Sequence, residues 1–431
     1  MNAAMGPEKL RDALAESLAL LRSKTFGPYL ACNFIASVGS WMQSVAEPWL
    51  ILSLTGSAFL VGLDSFMANG PILLLTVAGG ALADHKDRRT VILVFQSIQM
   101  LCPLALVVLL LTHALQPWAI IALSLIVGIT DALSMPAFQS ILPLIVGKKE
   151  IGRAIAFNSM GFNLARVLGP AFAGWLMARF GPEACFSTNV LSYVPYILVA
   201  YWVLPTSKAK PLVEVPQISP IKGEECLAMM RNRILLGAAL SVFFACVLCG
   251  QVLSFSSVIV KSILHGDASE FGNTLAIFGV GGLLGAALFL LLEKPAGNRL
   301  LCSSASMLFG LVLVAIAYSQ TRLFLFSMLF LSGALMTLVG TAGNSILLQN
   351  AKGARLGQAA AIYMIALRGG LAAGNLLAGM LVSNMGILRY LAWSGGAAVI
   401  VQCFIALLWQ RTTLKGNESL QCVMPPRSMT A

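Results

Sequence analysis

Long apolar runs alternate with short polar gaps along almost the whole chain. Twelve runs are long enough to cross the hydrocarbon layer, which takes about 20 mostly apolar residues as a helix. They cover residues 27–54, 57–83, 90–112, 117–146, 152–178, 184–204, 234–260, 270–292, 299–319, 322–349, 356–384 and 387–410. The longer ones leave room for tilt or for extension past the bilayer. One polar interruption stands out, at about 205–233, with Pro205, Pro211, Pro216 and Pro220 among scattered charges. It divides the runs into two groups of six. The pattern predicts an all-α membrane protein of twelve transmembrane helices in two pseudo-symmetric six-helix bundles. The expected units are an N-terminal segment 1–25, a bundle 26–205, a linker 206–232, a second bundle 233–410 and a tail 411–431. In residues 1–25, Leu10, Leu14, Leu18 and Leu21 recur at helical spacing among charges. That reads as a short amphipathic helix or a frayed terminus, without the uninterrupted apolar stretch of a cleaved leader.

The two groups look related. A gapless shift of 205 residues lays Gln139-Ser-Ile-Leu142 on Asn344-Ser-Ile-Leu347, and pairs Gly128 with Gly333, Gly152 with Gly357, Gly169 with Gly374 and Gly174 with Gly379. Internal repeats of this kind mark folds that rock around a central site.

Composition agrees with lipid as the main solvent: 58% of the residues are hydrophobic and 10% charged, against about 25% charged in soluble domains. The formal net charge of +11 would suggest nucleic acid in a soluble chain. Here the basic residues sit in the gaps, so no nucleic-acid partner is expected. Of the 28 Lys and Arg, 22 fall on the side of the termini and linker and 4 on the other, at Arg179, Lys261, Arg322 and Arg389. That asymmetry places both termini in the cytoplasm of a multi-pass protein in a bacterial inner membrane. The nine cysteines form no disulfide framework. Cys246 and Cys249 make a CxxC inside an apolar run without a nearby His, so no metal site is expected.

The two remaining arginines, Arg166 and Arg368, lie within apolar runs, as do Glu47, Asp64 and Asp131. Ionisable groups at membrane depth cost several kcal/mol and usually face a cavity or a partner. These five are the candidates for proton coupling and substrate contact. Asn33, Ser37, Ser40, Ser44 and Glu47 follow helical spacing along one face. The stripe suits the wall of a water-accessible cavity, or helix–helix packing through small residues. Asn163 and Gln251 are further polar candidates for the cavity. Glu47 and Asp64 sit at similar depth on neighbouring helices. If close, they cannot both ionise cheaply, and one is expected to keep its proton; alternatively one meets water at the interface. Asp131 and Arg166 lie near the midplane and either neutralise each other or form a gate that a substrate or proton competes for. Arg368 has no obvious acidic neighbour. An unpaired guanidinium favours an anionic ligand group, unless it pairs with Asp131 or Glu47 across a cavity. There is no catalytic set, so no enzyme is expected. There is no GxxxxGK[ST] loop, so ATP is not the expected energy source. An ion gradient is, with no bound cofactor.

Between the second and third runs stands Gly80-Ala-Leu-Ala-Asp84-His-Lys-Asp-Arg88-Arg89. It resembles the signature loop of the major facilitator superfamily, with His85 and Asp87 departing from the usual pattern. Its Asp-Arg-Arg form, the stretch from Met135-Pro-Ala-Phe-Gln139 through Ala165-Arg-Val-Leu-Gly-Pro170 to Gly174, and the overall layout are similar to the branch of enterobactin exporters and macrolide efflux proteins, of transmembrane secretion effector type. Gly169, Pro170 and Gly174 resemble the superfamily's antiporter motif. The resemblance implies alternating access, with Gly80, Asp84, Arg88 and Arg89 in a loop that locks one state. It also implies efflux by proton antiport. The expected cargo is a small amphiphile, siderophore or drug-like, and the expected state is a monomer. Helix four carries Asp131 where many proton–drug antiporters have arginine, which shifts the expected proton site to Glu47 and Asp64. An importer on the same fold and a non-transporting scaffold or sensor are the alternatives.

Overall fold

The computed structural model describes residues 15–147, 150–204, 233–292, 298–319, 321–350, 359 and 362–421. These residues are almost entirely helical, without a strand. The linker 206–232, residues 1–14 and residues 354–358 lie outside them. The first half comprises α1 (Phe26–Thr55), α2 (Ala58–Asn69), α3 (Pro71–His85), α4 (Arg88–Leu111), α5 (Pro117–Ile145), α6 (Ile151–Phe180) and α7 (Pro182–Val203). The second comprises α8 (Arg233–Leu248), α9 (Ser256–Ile259), α10 (Ala268–Leu292), α11 (Asn298–Ala317), α12 (Arg322–Asn350), α13 (Gly370–Met385) and α14 (Ile387–Gln421). Ten helical stretches among the described residues are long and apolar enough to cross a membrane. The other two long helices, α1 and α6, have 30 residues each but carry more polar side chains.

Three apolar runs are broken where a continuous helix is expected. The second divides at Gly70-Pro71: Pro71 opens α3 and has no N–H to continue the ladder. The seventh gives way after Leu248 to a 3₁₀ turn at Gly250–Val252, then α9, then a π-helical turn at Val260–Leu264. The eleventh holds a π-helical turn at Ile365–Gly369 directly before α13. At the other end of the chain, α14 continues to Gln421, past the expected limit of 410. Near the N-terminus, residues 15–21 are helical. Leu20 and Phe26 pack with Leu142, Val146 and Ala154, and Glu16 pairs with Arg153.

The internal repeat is visible in what its glycines touch. A side chain on Gly128 would meet the backbone of Met67 and Ala68 in α2, and one on Gly333 that of Phe278 in α10. Gly169 abuts Val38 and Trp41 of α1, while Gly374 abuts Cys246 and Val247 at the end of α8. The same 205-residue shift relates Gly181 and Gly386. Each ends a helix with φ near +80° (80° and 81°), a conformation that Gly enters without steric cost.

Within the first half, α1 packs on α6 and α7, α3 and α4 pack on α5, and α4 also packs on α7. In the second, α10 and α11 pack on α12, and α11 packs on α14. Gly310 of α11 lies against Gly395 of α14, where a Cβ would come within 2.7 Å of the Gly395 carbonyl and 3.0 Å of Val399. Gly310→Val is therefore expected to lower the melting temperature of the detergent-purified protein, through an overpacking cost of about 1–3 kcal/mol.

The halves meet chiefly along two antiparallel helix pairs, α6 with α10 and α2 with α13. Gly174 touches Gly272 in the first pair, and Gly62 touches Gly379 in the second. Gly174 and Gly379 are repeat-related. Both crossings lie toward the end of the bundle with the turns at Gly181, residues 265–267 and Gly386, which is the end poor in Lys and Arg. There Trp49 of α1 also stacks on Phe271 of α10, with ring centroids 5.2 Å apart.

Candidate functional site

The five intramembrane ionisable residues divide into two groups. Glu47 and Asp64 are sealed inside the first half, at 8% and 3% exposure. Gln43, one turn before Glu47, donates its amide to the Glu47 carboxylate at 2.7 Å. Asn189 of α7 donates in turn to the Gln43 carbonyl, and Ser192 donates to Asn189 Oδ1 at 3.1 Å. Gly39 makes this possible, because a side chain there would collide with Ser192 and Asn189. Asp64 accepts a 2.6 Å hydrogen bond from Ser124 of α5. The two carboxylates are close enough to feel each other's charge. Among the described residues neither has a cation within ion-pair distance.

Arg166 and Arg368 occupy the interface between the halves. Arg166, on α6, reaches into the second half and donates to Thr337 Oγ1 of α12 at 3.3 Å. Arg368, in the π-helical turn of the second half, reaches back and donates to Asn69 Oδ1 at the end of α2, at 2.9 Å. Both are half-buried, and among the described residues neither forms an ion pair. Asp131 is half-buried on α5 and is not paired with Arg166; its charge is felt by Tyr193 of α7.

The polar stripe of α1 changes surroundings along its length. Asn33 donates to Asn158 of α6 at 2.9 Å. Ser37, Ser40 and Ser44 donate to carbonyls of their own helix, and Ser40 also meets the Tyr193 hydroxyl at 3.3 Å. Ser40 and Ser44 are exposed, whereas Glu47 is buried. Gln251 is buried within the second half, where its amide donates to the Leu248 carbonyl and the Tyr390 hydroxyl. The side chain of Asn163 lies outside the described residues.

Of the signature loop, Gly80 lies near the end of α3 in open space, and the Asp84 side chain lies outside the described residues. Arg88 and Arg89 begin α4, and the Arg89 guanidinium sits over the Tyr201 ring of α7, 4.5 Å from its centroid. Gly169 and Pro170 are buried, with Gly169 against α1 and Gly174 at the crossing with Gly272. Cys246 and Cys249 are buried free thiols. Among the described residues no group of three or more His, Cys, Asp or Glu could hold a metal.

Two broken, repeat-related bundles have the architecture of a transporter of the major facilitator fold rather than that of an enzyme. The chain belongs to the transmembrane secretion effector family, whose model matches residues 15–427. It is similar to the staphyloferrin A transporter of Staphylococcus aureus, 22% identical over 91% of this chain and 98% of the relative. It is also similar to the enterobactin exporter EntS of Shigella boydii, 29% identical over 38% of this chain and 40% of the relative. Among solved structures, a bacterial homologue of the iron transporter ferroportin in an inward-facing state superposes with a TM-score of 0.66, at 16% identity over 88% of this chain and 98% of that one.

Proposed function

We propose that the protein exports a small amphiphilic organic molecule of siderophore or drug-like type from the bacterial cytoplasm, by proton antiport with alternating access. It acts as a monomer in the inner membrane with both termini cytoplasmic, and without a bound cofactor. The observation that carries the reading is the separation of the charges. Two carboxylates lie inside the first half with neutral hydrogen-bond partners, and two guanidinia lie where the halves meet. Buried charge without a counter-ion costs several kcal/mol. Proton entry or exit at Glu47 and Asp64 therefore changes the energy of whichever state buries them. The guanidinia face the other half, where a substrate would be held. The relatives that handle staphyloferrin A and enterobactin support a siderophore-like cargo.

Comparing metabolites inside and outside intact and deletion cells tests this. The expected result is one or more species that accumulate inside the deletion strain and are depleted from its medium. The reverse pattern, a species left outside by the deletion strain, identifies an importer and overturns the export reading.

A further inference from the structure

The arginines at the interface are arranged as a pair. Each crosses from its own half to the other, in opposite directions, from helices that the internal repeat relates. Each has a side-chain hydrogen bond to a neutral acceptor, Thr337 or Asn69. A guanidinium carries five N–H donors in a planar fork suited to two-point contact with an oxyanion, so these bonds leave most of its capacity unused.

The surroundings are built to hold the forks where they are. Arg166 passes over Gly282 of α10, where a Cβ would lie 3.0 Å from Nη2 and 3.1 Å from Thr337 Oγ1. Arg368 projects from a π-helical turn, a local widening of the helix often found at functional sites. Tyr363 lies within electrostatic range of both guanidinia. Its hydroxyl approaches Gly340, within 3.3 Å of where a Cβ would stand, one turn along α12 from Thr337. Gly340 and Leu367 also border an apolar crevice lined by Val242, Phe309 and Met336.

We infer that Arg166 and Arg368 form a two-pronged site for a substrate bearing at least two oxyanion groups, carboxylate or catecholate, which takes the guanidinia from Thr337 and Asn69 as it binds. The inference deepens the export reading and rests on it. A cationic amphiphile is excluded as the preferred cargo, because two guanidinia at the interface repel it. The bound anion replaces two cross-interface bonds with contacts to itself, so loading loosens direct contact between the halves at the depth where they must move.

The test is equilibrium binding to the purified full-length protein in nanodiscs, with citrate, a tris-catecholate and ethidium as probes. At least one polyanion is expected to bind the wild type more tightly than ethidium. Arg166→Gln and Arg368→Gln should each weaken that binding by about 10- to 100-fold, the range for hydrogen bonds to charged groups, with Arg→Lys variants between. Thr337→Val and Asn69→Ala remove the competing acceptors and should tighten polyanion binding, an effect that a merely structural role for the arginines does not produce. The inference is overturned if neither polyanion binds the wild type at millimolar concentration, if ethidium binds more tightly than both, or if well-folded Arg→Gln proteins bind the polyanion unchanged. Binding is read here without transport. Failure of this test leaves proton-driven export standing, and failure of export leaves the binding result intact.

Discussion

Glu47→Gln is expected to leave the protein folded in the membrane, still able to exchange substrate, and unable to accumulate it against a gradient. Gln is nearly isosteric with Glu and retains an oxygen to accept the hydrogen bond from Gln43, so the chain through Gln43 and Asn189 to Ser192 is preserved. What the substitution removes is the titratable proton. Each pH unit across the membrane supplies about 1.4 kcal/mol per coupled proton, enough for about tenfold accumulation. The variant should lose that accumulation entirely and equilibrate substrate to equal concentrations. Asp64→Asn, which keeps an acceptor for Ser124, should act in the same direction. Counterflow of labelled against unlabelled substrate separates the two activities. Full gradient-driven accumulation by both variants would remove the carboxylates from the mechanism.

Gly174→Val should stop transport by a different route. At Gly174 a Cβ would be driven into the Cα of Gly272, so a valine fits only if α6 and α10 separate. In an alternating-access cycle, opening at the Lys- and Arg-poor end would part this crossing. An overpacking cost of about 1–3 kcal/mol confined to one of two alternating states shifts their ratio by about 5- to 150-fold. The cycle needs both states, so transport should fall by about the same factor while the amount of protein in the membrane holds. Gly62→Val, at the repeat-related crossing with Gly379 and Asn375, should do the same. Asn375 has 2% exposure, and its side-chain oxygen is buried there without a hydrogen-bond partner; a state opened to water would satisfy it. A cysteine placed at Asn375 in a background cleared of other cysteines should react faster with an impermeant maleimide when Gly174→Val is present. Unchanged labelling and unchanged transport would mean that the halves do not part along these glycines.

Much of this architecture is legible in the sequence because lipid imposes strong rules on it. Apolar runs give the helices, the Lys and Arg count gives an expected orientation, and Gly128, Gly169 and Gly174 with their partners 205 residues on reveal the repeat. The partners of the ionisable groups are far less legible. Helical spacing assigns Ser124 and Asp131 to one face of α5, yet Ser124 serves Asp64 on α2. Periodicity fixes a face within one helix but not its rotation against a neighbour. Arg166 and Arg368 are visible as rare charges, whereas Thr337 and Asn69 are ordinary polar residues whose role comes only from the crossing of the halves. Gln43 and Asn189 are missed for the same reason, although each lies within an otherwise apolar stretch. The breaks after Leu248 and at Ile365–Gly369 have weak signals, because a glycine in a membrane helix more often marks close packing than a change of helix type.

The most direct test of the account uses the species that accumulates inside deletion cells, labelled and offered to everted membrane vesicles. With the vesicle interior acidified, wild-type vesicles should concentrate it, and nigericin, which collapses the pH difference, should abolish the uptake. Vesicles carrying Glu47→Gln should only equilibrate it. Concentrative uptake by wild type that persists after nigericin, or that Glu47→Gln vesicles match, would contradict proton-coupled export.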